Sequence, residues 1–378
     1  MREKTIWLLV AAVMVVCASA GRCLGEKPAA GKTEPVLEVQ DLFKSVRGPK
    51  ITVATDGSVL AFAKSGRLLR RSEDAGKTWG KIQEIGASGS AIVDDNSGDV
   101  MVVSVRYLWR SRDHGKTWKK ETITVKSNAV GHGAADTIPV GTGASESGIT
   151  LRYGKHKGRL LMPARIQPPK GNNDQEWWPY NYNTAIYSDD GGKTWQTSGP
   201  VQSGTGEGTL AEMSNGHIYY NSRSHMSVDH RRRIAWSYDG GHMWTDWRVS
   251  EHLYEVGEPF YFKYGTKPSY GCNAGLVRMP LEATAGKDVL LFSTPDNPGK
   301  TRVRMTVWAS FDRGKTWPTK RLVYEGPSAY SSLAADKKGN VYLLFERGKK
   351  KLYESIAVAR FNLEWLAKGQ DPRKTSKD

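Results

Sequence analysis

Short apolar segments alternate with turns rich in glycine, asparagine and aspartate along almost the whole chain, from residue 46 to residue 360. Segments this short are typical of β-strands, whereas an amphipathic helix would show a longer apolar stripe with a period of 3.6 residues. The clearest strands are predicted at residues 51–54, 59–63, 100–105, 159–162, 217–221, 289–293, 303–309, 341–346 and 355–361. The pattern therefore predicts an all-β fold.

An eight-residue box with the pattern Ser-x-Asp-x-Gly-x-Thr-Trp recurs five times among these strands. The copies occupy residues 72–79, 111–118, 188–195, 237–244 and 310–317, and only the fourth is degraded, at His242 and Met243. The aspartate can accept hydrogen bonds from backbone N–H groups of its own turn, and the glycine supplies a positive φ. The tryptophan begins the next strand and fills the gap to a neighbouring sheet. We interpret each box as the turn of a β-hairpin, with a structural role remote from any chemistry.

The spacing of the boxes indicates a repeated unit. Successive box tryptophans are 39, 77, 49 and 73 residues apart. Two of these gaps are close to one unit of about four strands, and two are longer, as if they held insertions or a unit without a box. Repeated four-stranded units of this kind are typical of a β-propeller. We predict a six-bladed propeller with the boxes as its turns.

The two ends of the chain differ in composition from the repeated part. Residues 1–20 combine Arg2 and Lys4, an apolar stretch and a small-residue cleavage site, which predicts a signal peptide. We expect a linker at residues 21–40, the propeller at 41–363 and a charged tail at 364–378. An exported chain, secreted or periplasmic, is therefore expected. It would keep only Cys23 and Cys272, so a disulfide scaffold is excluded and a single bridge stays open.

The net charge limits the kinds of molecule that the chain is expected to bind. The formal charge is +16, but the basic residues are scattered apart from short runs such as residues 231–233. Nucleic-acid binding favours a clustered basic stripe with stacking aromatic residues, so we expect no nucleic-acid partner. The charge fits a solvated basic surface or attraction to anionic glycans. We also expect a monomer without stable membrane insertion, because the apolar run at the start is too short to favour a span.

Three arginines are candidates for a ligand-binding role. Arg47, Arg223 and Arg302 lie beside predicted turns or strand ends in different units. In a propeller, loops from several blades meet at one end of the axis. Guanidinium groups that converge there would bind a carboxylate through bidentate, charge-assisted hydrogen bonds. Taken singly, each arginine would be an ordinary surface residue.

This combination resembles the sialidase family over nearly the whole chain after the signal peptide. Five boxes of the Asp-box (BNR repeat) type are a specific mark of sialidase-like propellers. Residues 46–63 look like the family's opening Arg-Ile-Pro segment, with Gly48 in place of the isoleucine. Residues 206–223 resemble the glutamate segment and the second arginine of the family's triad, residues 302–307 resemble the third, and residues 326–346 are similar to the nucleophile segment.

The resemblance implies a retaining exo-α-sialidase that releases terminal sialic acid from glycoconjugates without a cofactor. It implies that Arg47, Arg223 and Arg302 hold the substrate carboxylate, that Tyr330 is the nucleophile and that Glu207 is its base. Glu346 would orient Arg47, and Glu212 is the alternative to Glu207. A neutral phenol avoids the repulsion that a carboxylate nucleophile would meet from the substrate carboxylate. Its ordinary pKa of about 10 means that it needs an adjacent base and cations.

The sequence departs from the family at the general acid. Arg67 falls where an arginine that touches the sugar belongs, but no aspartate lies between it and Asp74, which is committed to a box. Possible substitutes for the missing acid are Asp136, Glu146 and His132.

Two further segments carry candidate binding residues. The insertion at residues 167–182 holds Trp177, Trp178, Tyr180 and Tyr182, which either form a sugar-stacking lip or cover their own blade. The compact group at residues 225–230, with two histidines and an aspartate, lacks helical spacing, and we expect no metal there.

The sequence leaves three other functions open. One is hydrolysis of a different acidic sugar, which the altered acid loop favours. Another is a non-catalytic propeller that binds sialic acid. The last is a protein-interaction propeller, in which the three arginines would not converge.

Overall fold

The computed structural model describes residues 34–143, 145–167, 179–226, 229–257, 260–262, 265–267 and 271–368. The predicted signal peptide and the charged end of the tail lie outside these residues. Within the described residues, no helix is both long and apolar enough to cross a membrane.

The strands form a six-bladed β-propeller. Blade 1 contains β2 (Lys50–Val53), β3 (Val59–Ala63), β4 (Leu68–Ser72) and β5 (Gln83–Glu84). Blade 2 contains β6 (Ser90–Val93), β7 (Val100–Val103), β8 (Tyr107–Ser111) and β9 (Lys119–Thr122). Blade 3 contains β10 (Thr124–Lys126), β11 (Val140–Gly141), β12 (Ile149–Thr150), β13 (Leu160–Ile166), β14 (Tyr182–Ser188) and β15 (Thr194–Thr197). Blade 4 contains β16 (Thr205–Glu212), β17 (Ile218–Ser224), β18 (Arg231–Ser237) and β19 (Thr245–Tyr254).

One long strand is shared by the last two blades. Blade 5 contains β22 (Gly275–Arg278), β23 (Leu290–Pro295), β24 (Val303–Ser310) and the first half of β25 (Thr319–Ala335). Blade 6 contains the second half of β25, then β26 (Val341–Arg347), β27 (Ser355–Phe361) and β1 (Leu37–Lys44). The remaining elements are the hairpin β20 (Phe260–Phe262) and β21 (Gly265–Lys267), a 3-10 turn (Leu281–Ala283) and the helix α1 (Leu363–Ala367).

The N-terminal strand closes the ring. Strand β1 pairs antiparallel with β27, so the first strand of the chain completes the last blade. It begins at Leu37, so its first four residues lie in the segment 21–40 that was expected to be a linker. Its outer half is largely exposed and is held by ladder hydrogen bonds, so it has no apolar run that would predict a strand.

The helix α1 extends from residue 363 into the segment 364–378 that was expected to be a charged tail. Trp365 and Leu366 of α1 are buried in the core shared by blades 5 and 6. Asn362 caps the helix by accepting a hydrogen bond from the Trp365 backbone N–H at 3.0 Å. A five-residue helix is too short to show apolar periodicity in the sequence.

Each box is the turn of a β-hairpin, as predicted, and it joins the last two strands of its blade in chain order. In the second box, Asp113 accepts a hydrogen bond from the Thr117 backbone N–H at 2.8 Å, and its partner Ser111 accepts one from Gly115 at 2.8 Å. The box glycines have φ between +79° and +90°. A Cβ atom on Gly241 would lie 2.6 Å from Leu161 of the preceding blade. The glycine therefore serves the turn and also the close approach of two blades.

The sixth blade has no box for a topological reason. Its third and fourth strands, β27 and β1, come from opposite ends of the chain, so no turn connects them. The long gaps of 77 and 73 residues contain insertions in blade 3 and between blades 4 and 5. The described residues of these two gaps form no additional blade.

Candidate functional site

The tyrosine and glutamate predicted as nucleophile and base are in direct contact. Tyr330 starts the inner part of β25 in blade 6, and Glu207 lies on β16, the inner strand of blade 4. The Tyr330 hydroxyl donates a hydrogen bond of 2.5 Å to Oε1 of Glu207. Nη1 of Arg223 donates to the other carboxylate oxygen at 2.6 Å and to the phenol oxygen at 2.9 Å. Three residues from two blades thus form one hydrogen-bonded cluster.

Glu346 connects the first predicted arginine to the tyrosine. Its carboxylate is fully buried and accepts hydrogen bonds from Nε and Nη2 of Arg47 at 3.1 and 3.4 Å. It also accepts from the backbone N–H groups of Gly48 at 3.0 Å and Tyr330 at 3.1 Å. Because four donors fix this carboxylate, Arg47 is held 4.9 Å from the centre of the Tyr330 ring.

Arg302 completes the group of three arginines around Tyr330. Its Nη2 donates to the Gly271 carbonyl at 2.7 Å, and its Nη1 donates to the Tyr353 hydroxyl at 3.2 Å. The guanidinium carbon lies 5.6 Å from the centre of the Tyr330 ring. The three arginines converge, which contradicts the expectation for a protein-interaction propeller.

The charges around Glu207 favour its ionised form. Burial alone would raise the pKa of Glu207, but the positive charges of Arg223 and Arg165 outweigh burial and hold the pKa well below its usual range. Burial and the negative charge of Glu207 raise the pKa of Tyr330 above its ordinary value. The resting pair is therefore a neutral phenol that donates to a carboxylate.

Three residues of the site were not predicted to lie there, although His225 belongs to the group that the sequence analysis weighed as a metal site. Arg165 on β13 is buried, and its Nη1 lies 3.8 Å from Oε1 of Glu207. His225 is buried next to the same carboxylate, and burial lowers its pKa well below the usual value, so it is neutral. The ring of Tyr353 lies 4.0 Å from the Arg47 guanidinium. Only Arg165 gave a signal, as a charge inside the otherwise apolar run at residues 160–166.

Arg67, predicted to touch the sugar, has a surface partner. It forms an ion pair of 2.6 Å with Glu84, and both side chains are 58% exposed. The connection between β3 and β4 is a tight turn in which the Arg67 backbone N–H donates to the Lys64 carbonyl at 3.2 Å. The segment that would carry the family's acid is therefore too short to reach over the arginines.

The alternative carboxylates lie elsewhere. Glu212 sits at the other end of β16, where it accepts from the backbone N–H groups of Arg152 and Tyr153 at 2.7 and 3.1 Å. It is therefore too far along the strand to replace Glu207. Glu146 is buried below the cluster, and Asp136 is exposed in a loop of blade 3. Among the described residues, none of the three is hydrogen-bonded to Tyr330.

Of the four aromatic residues predicted to form a sugar-stacking lip, two lie within the described residues. Trp177 and Trp178 lie outside the described residues, and Tyr180 is 63% exposed. Tyr182 is buried, and its hydroxyl lies 2.9 Å from Nδ1 of His132. Tyr182 therefore covers its own blade, and His132 is bonded to it there.

Two further expectations from the sequence concern a possible disulfide bridge and a metal site. Cys272 is a buried free thiol whose pKa burial raises to about 11, and Cys23 lies outside the described residues. In the described part of the chain, no three His, Cys, Asp or Glu side chains are grouped as metal ligands would be.

Comparisons with known proteins agree with this architecture. The BNR repeat-like domain family matches residues 88–343. A sialidase of Micromonospora viridifaciens is 30% identical over 411 residues, which cover 94% of this chain and 58% of the relative. A sialidase of Bacteroides fragilis is 27% identical over 308 residues, 74% of this chain and 53% of the relative.

A solved structure gives the same fold. The Hadza microbial sialidase Hz136 superimposes with a TM-score of 0.64 at 24% identity, over 85% of this chain and 66% of that one. The chain thus spans little more than half the length of the first two curated relatives.

Proposed function

The chain belongs to the BNR repeat-like family of the sialidase superfamily, and from this premise we propose that it is an exo-α-sialidase-like retaining glycoside hydrolase. Its substrate would be a sialylated or another acidic glycan, and it would act after export, as a monomer without a cofactor. The observation that carries the proposal is the hydrogen bond of 2.5 Å between Tyr330 and Glu207, together with the hydrogen bond that Arg223 donates to the same carboxylate.

The arginines give the substrate its orientation. Arg47, Arg223 and Arg302 surround Tyr330 and would bind the carboxylate of the sugar, which sits next to the anomeric carbon. This contact would place the anomeric carbon over the phenol oxygen. Glu346 would act through Arg47, since it fixes that guanidinium and the Tyr330 backbone together.

The reaction would proceed in two displacements. As the Tyr330 oxygen bonds to the anomeric carbon, its proton passes to Glu207 and the bond to the aglycone oxygen breaks. The aglycone leaves with the bonding electron pair and takes a proton from solvent or remains an anion. Water then attacks the anomeric carbon and gives one of its protons to solvent, the tyrosine–sugar bond breaks, and the phenolate recovers the proton from Glu207. The configuration at the anomeric carbon is retained, and the enzyme returns to its resting state.

Turnover of an α-sialoside with a chromogenic, good leaving group tests this proposal. We expect Tyr330→Phe to lower kcat by roughly a thousandfold or more, because the nucleophile is lost. Tyr324→Phe is the matched control, since Tyr324 lies on the same strand and donates only to the Gly348 carbonyl at 2.8 Å. Wild-type turnover in Tyr330→Phe would contradict the tyrosine mechanism.

A second candidate is a sialic-acid-binding propeller without turnover. The short turn between β3 and β4 favours it, because no acid from that turn can protonate a leaving group. This function predicts binding of sialic acid by calorimetry together with no release of the chromogenic aglycone by the wild-type protein. Turnover would reject it, and absence of both turnover and binding would favour a different acidic sugar.

A further inference from the structure

The middle arginine of the run at residues 231–233 is buried in blade 4. Arg232 on β18 is 0% exposed, whereas both of its neighbours in the run are partly exposed. Its Nη1 forms an ion pair of 2.9 Å with Glu255, which is also 0% exposed, and its Nε donates to Asn221 at 2.7 Å. A buried ion pair is often no more stable than an apolar pair of the same volume, because both charges lose their water. Stability alone therefore does not explain why blade 4 carries this pair.

The carboxylate of Glu255 accepts hydrogen bonds at both oxygens. Its Oε1 accepts from Nη1 of Arg232 at 2.9 Å and from the Ser224 backbone N–H at 2.8 Å. Its Oε2 accepts from the Cys272 backbone N–H at 3.2 Å. Burial raises the pKa of Glu255, and the charge of Arg232 and the two N–H groups oppose that effect. The side chain thus connects two backbone segments that are far apart in the sequence.

These two segments carry two of the three arginines around Tyr330. Ser224 directly follows Arg223 on β17. The Cys272 N–H and the Gly271 carbonyl belong to one peptide unit, and that carbonyl accepts a hydrogen bond from Arg302 at 2.7 Å. Because a trans peptide unit is planar, with its N–H and C=O pointing in opposite directions, the acceptor that holds the N–H also fixes the direction of the carbonyl. Glu255 therefore determines where Arg302 finds its acceptor.

Close packing at Gly271 leaves this peptide unit little room to turn. Gly271 has a φ of +62°, and a Cβ atom there would lie 2.5 Å from Oε2 of Glu255 and 2.9 Å from Cγ of Arg223. On the other side of the unit, the carbonyl of Cys272 accepts a hydrogen bond from Arg232 at 2.7 Å. The segment is thus held from both sides by the buried ion pair.

We propose that Glu255, held by Arg232, is a positioning residue for recognition of the substrate carboxylate, because it fixes Arg223 and the acceptor of Arg302 relative to each other. Glu346 has the corresponding contact with the first arginine of the group. Two buried glutamates would then place all three guanidinium groups. The inference rests on the proposed function in one respect, that these arginines bind the carboxylate of an acidic sugar.

The first test compares wild type and Glu255→Gln in binding an S-linked α-sialoside and the methyl ester of the same compound, by calorimetry. Glutamine places an amide donor against one of the three donors, so the peptide unit at residues 271–272 should turn. The ratio of the two Kd values, ester over acid, measures recognition of the carboxylate. We expect this ratio to fall roughly tenfold or more, the scale of one charge-assisted hydrogen bond. An unchanged ratio would overturn the inference and leave Glu255 with a packing role.

Asp99→Asn is the matched control. Asp99 forms a buried ion pair of 2.8 Å with Arg110 in blade 2, which carries none of the three arginines. This variant should unfold at a lower urea concentration than the wild type and keep the wild-type ratio of Kd values. A ratio that falls equally in both variants would show general loosening of the propeller and contradict a positioning role.

A second measurement needs no sugar. Cys272 is a buried free thiol in the segment that Glu255 holds, so loss of the acceptor should expose it more often. We expect alkylation of Cys272 by iodoacetamide, followed by mass spectrometry of its peptide, to be roughly tenfold faster in Glu255→Gln than in Asp99→Asn. Equal rates would overturn the inference.

The outcomes separate this inference from the proposed hydrolysis. Binding of the sialoside by the wild type without turnover of the chromogenic substrate would reject the hydrolase, whereas the ratio of Kd values would still decide the role of Glu255. Absence of binding by the wild type would reject both.

Discussion

At the scale of single residues, the pKa values of two buried glutamates shift in opposite directions because their neighbours differ. Glu207 is 2% exposed and contacts Arg223 at 2.6 Å, so the positive charges around it hold its pKa well below the usual range. Glu146 is 1% exposed and bonds to a neutral hydroxyl, so burial raises its pKa to about 7. Burial is similar at the two positions, and the nearest charge decides the direction of the shift.

The depressed pKa of Glu207 predicts a specific pH dependence of stability. Its folded-state pKa lies below the unfolded value of 4.5, so the stabilisation is present above that pH and is lost as the pH falls below it. We expect the difference in the free energy of unfolding between wild type and Glu207→Gln to shrink from pH 7 to pH 3. Urea unfolding at each pH measures this difference, and a gap that widens toward low pH would refute the assignment.

At the scale of elements, the boxes act as turns and as contacts between blades. The Gly241 turn of blade 4 lies against Leu161 of blade 3, and the Gly314 turn of blade 5 lies against Tyr219 of blade 4. The tryptophans of the third and fourth boxes are almost completely buried, with exposures of 1% and 2%. The five boxes therefore hold neighbouring blades together, and they lie apart from the tyrosine cluster.

A pair of glycine substitutions separates the role of a box glycine in its turn from its role in the contact between blades. Gly241→Ala introduces a Cβ atom 2.6 Å from Leu161 at a φ of +85°, whereas Gly57→Ala has a φ of +87° and nothing within 4 Å. Backbone strain alone costs roughly 1 to 2 kcal/mol. We expect Gly57→Ala to lose about that much stability and Gly241→Ala to lose roughly twice as much. Equal losses in chemical unfolding would show that the contact between the blades contributes little.

At the scale of the whole molecule, the ring is closed by a strand from the start of the chain. Strand β1 completes blade 6, and Phe43 on this strand packs into the core between blades 6 and 1. Closure fixes the distance between the blades that carry Arg47 and Tyr330. The site therefore depends on a strand that contributes no side chain to it.

Phe43→Ala tests the closure of the ring. Phe43 is 1% exposed, so its truncation should reduce the free energy of unfolding by about 3 to 5 kcal/mol. Val39→Ala on the same strand is the control, because Val39 is 36% exposed and should lose less than about 1 kcal/mol. Thermal and urea unfolding give both values, and a small effect of Phe43→Ala would show that closure does not depend on this side chain.

Much of the fold could be predicted because it depends on local chemistry. The turn of each box needs an acceptor, a residue with positive φ and a tryptophan at fixed spacing, and all of these can be read along the chain. Residues 37–40 of β1 and 364–367 of α1 were assigned to a linker and a tail, because the stability of these elements comes from pairing with β27 and from the core of blades 5 and 6. Contacts between distant segments leave little trace in the local pattern.

The pattern of short strands and boxes predicted the all-β propeller and its turns, and the resemblance to the sialidase family pointed to Tyr330, Glu207, Glu346 and three arginines. Only the tertiary structure decided that these residues, up to 299 positions apart, contact one another. It also decided that Arg165 joins Glu207 and that Glu255 lies buried between the segments of Arg223 and Arg302. The physical reason is that charge states and contacts depend on which strands face the axis, and ring closure sets that arrangement for all six blades at once.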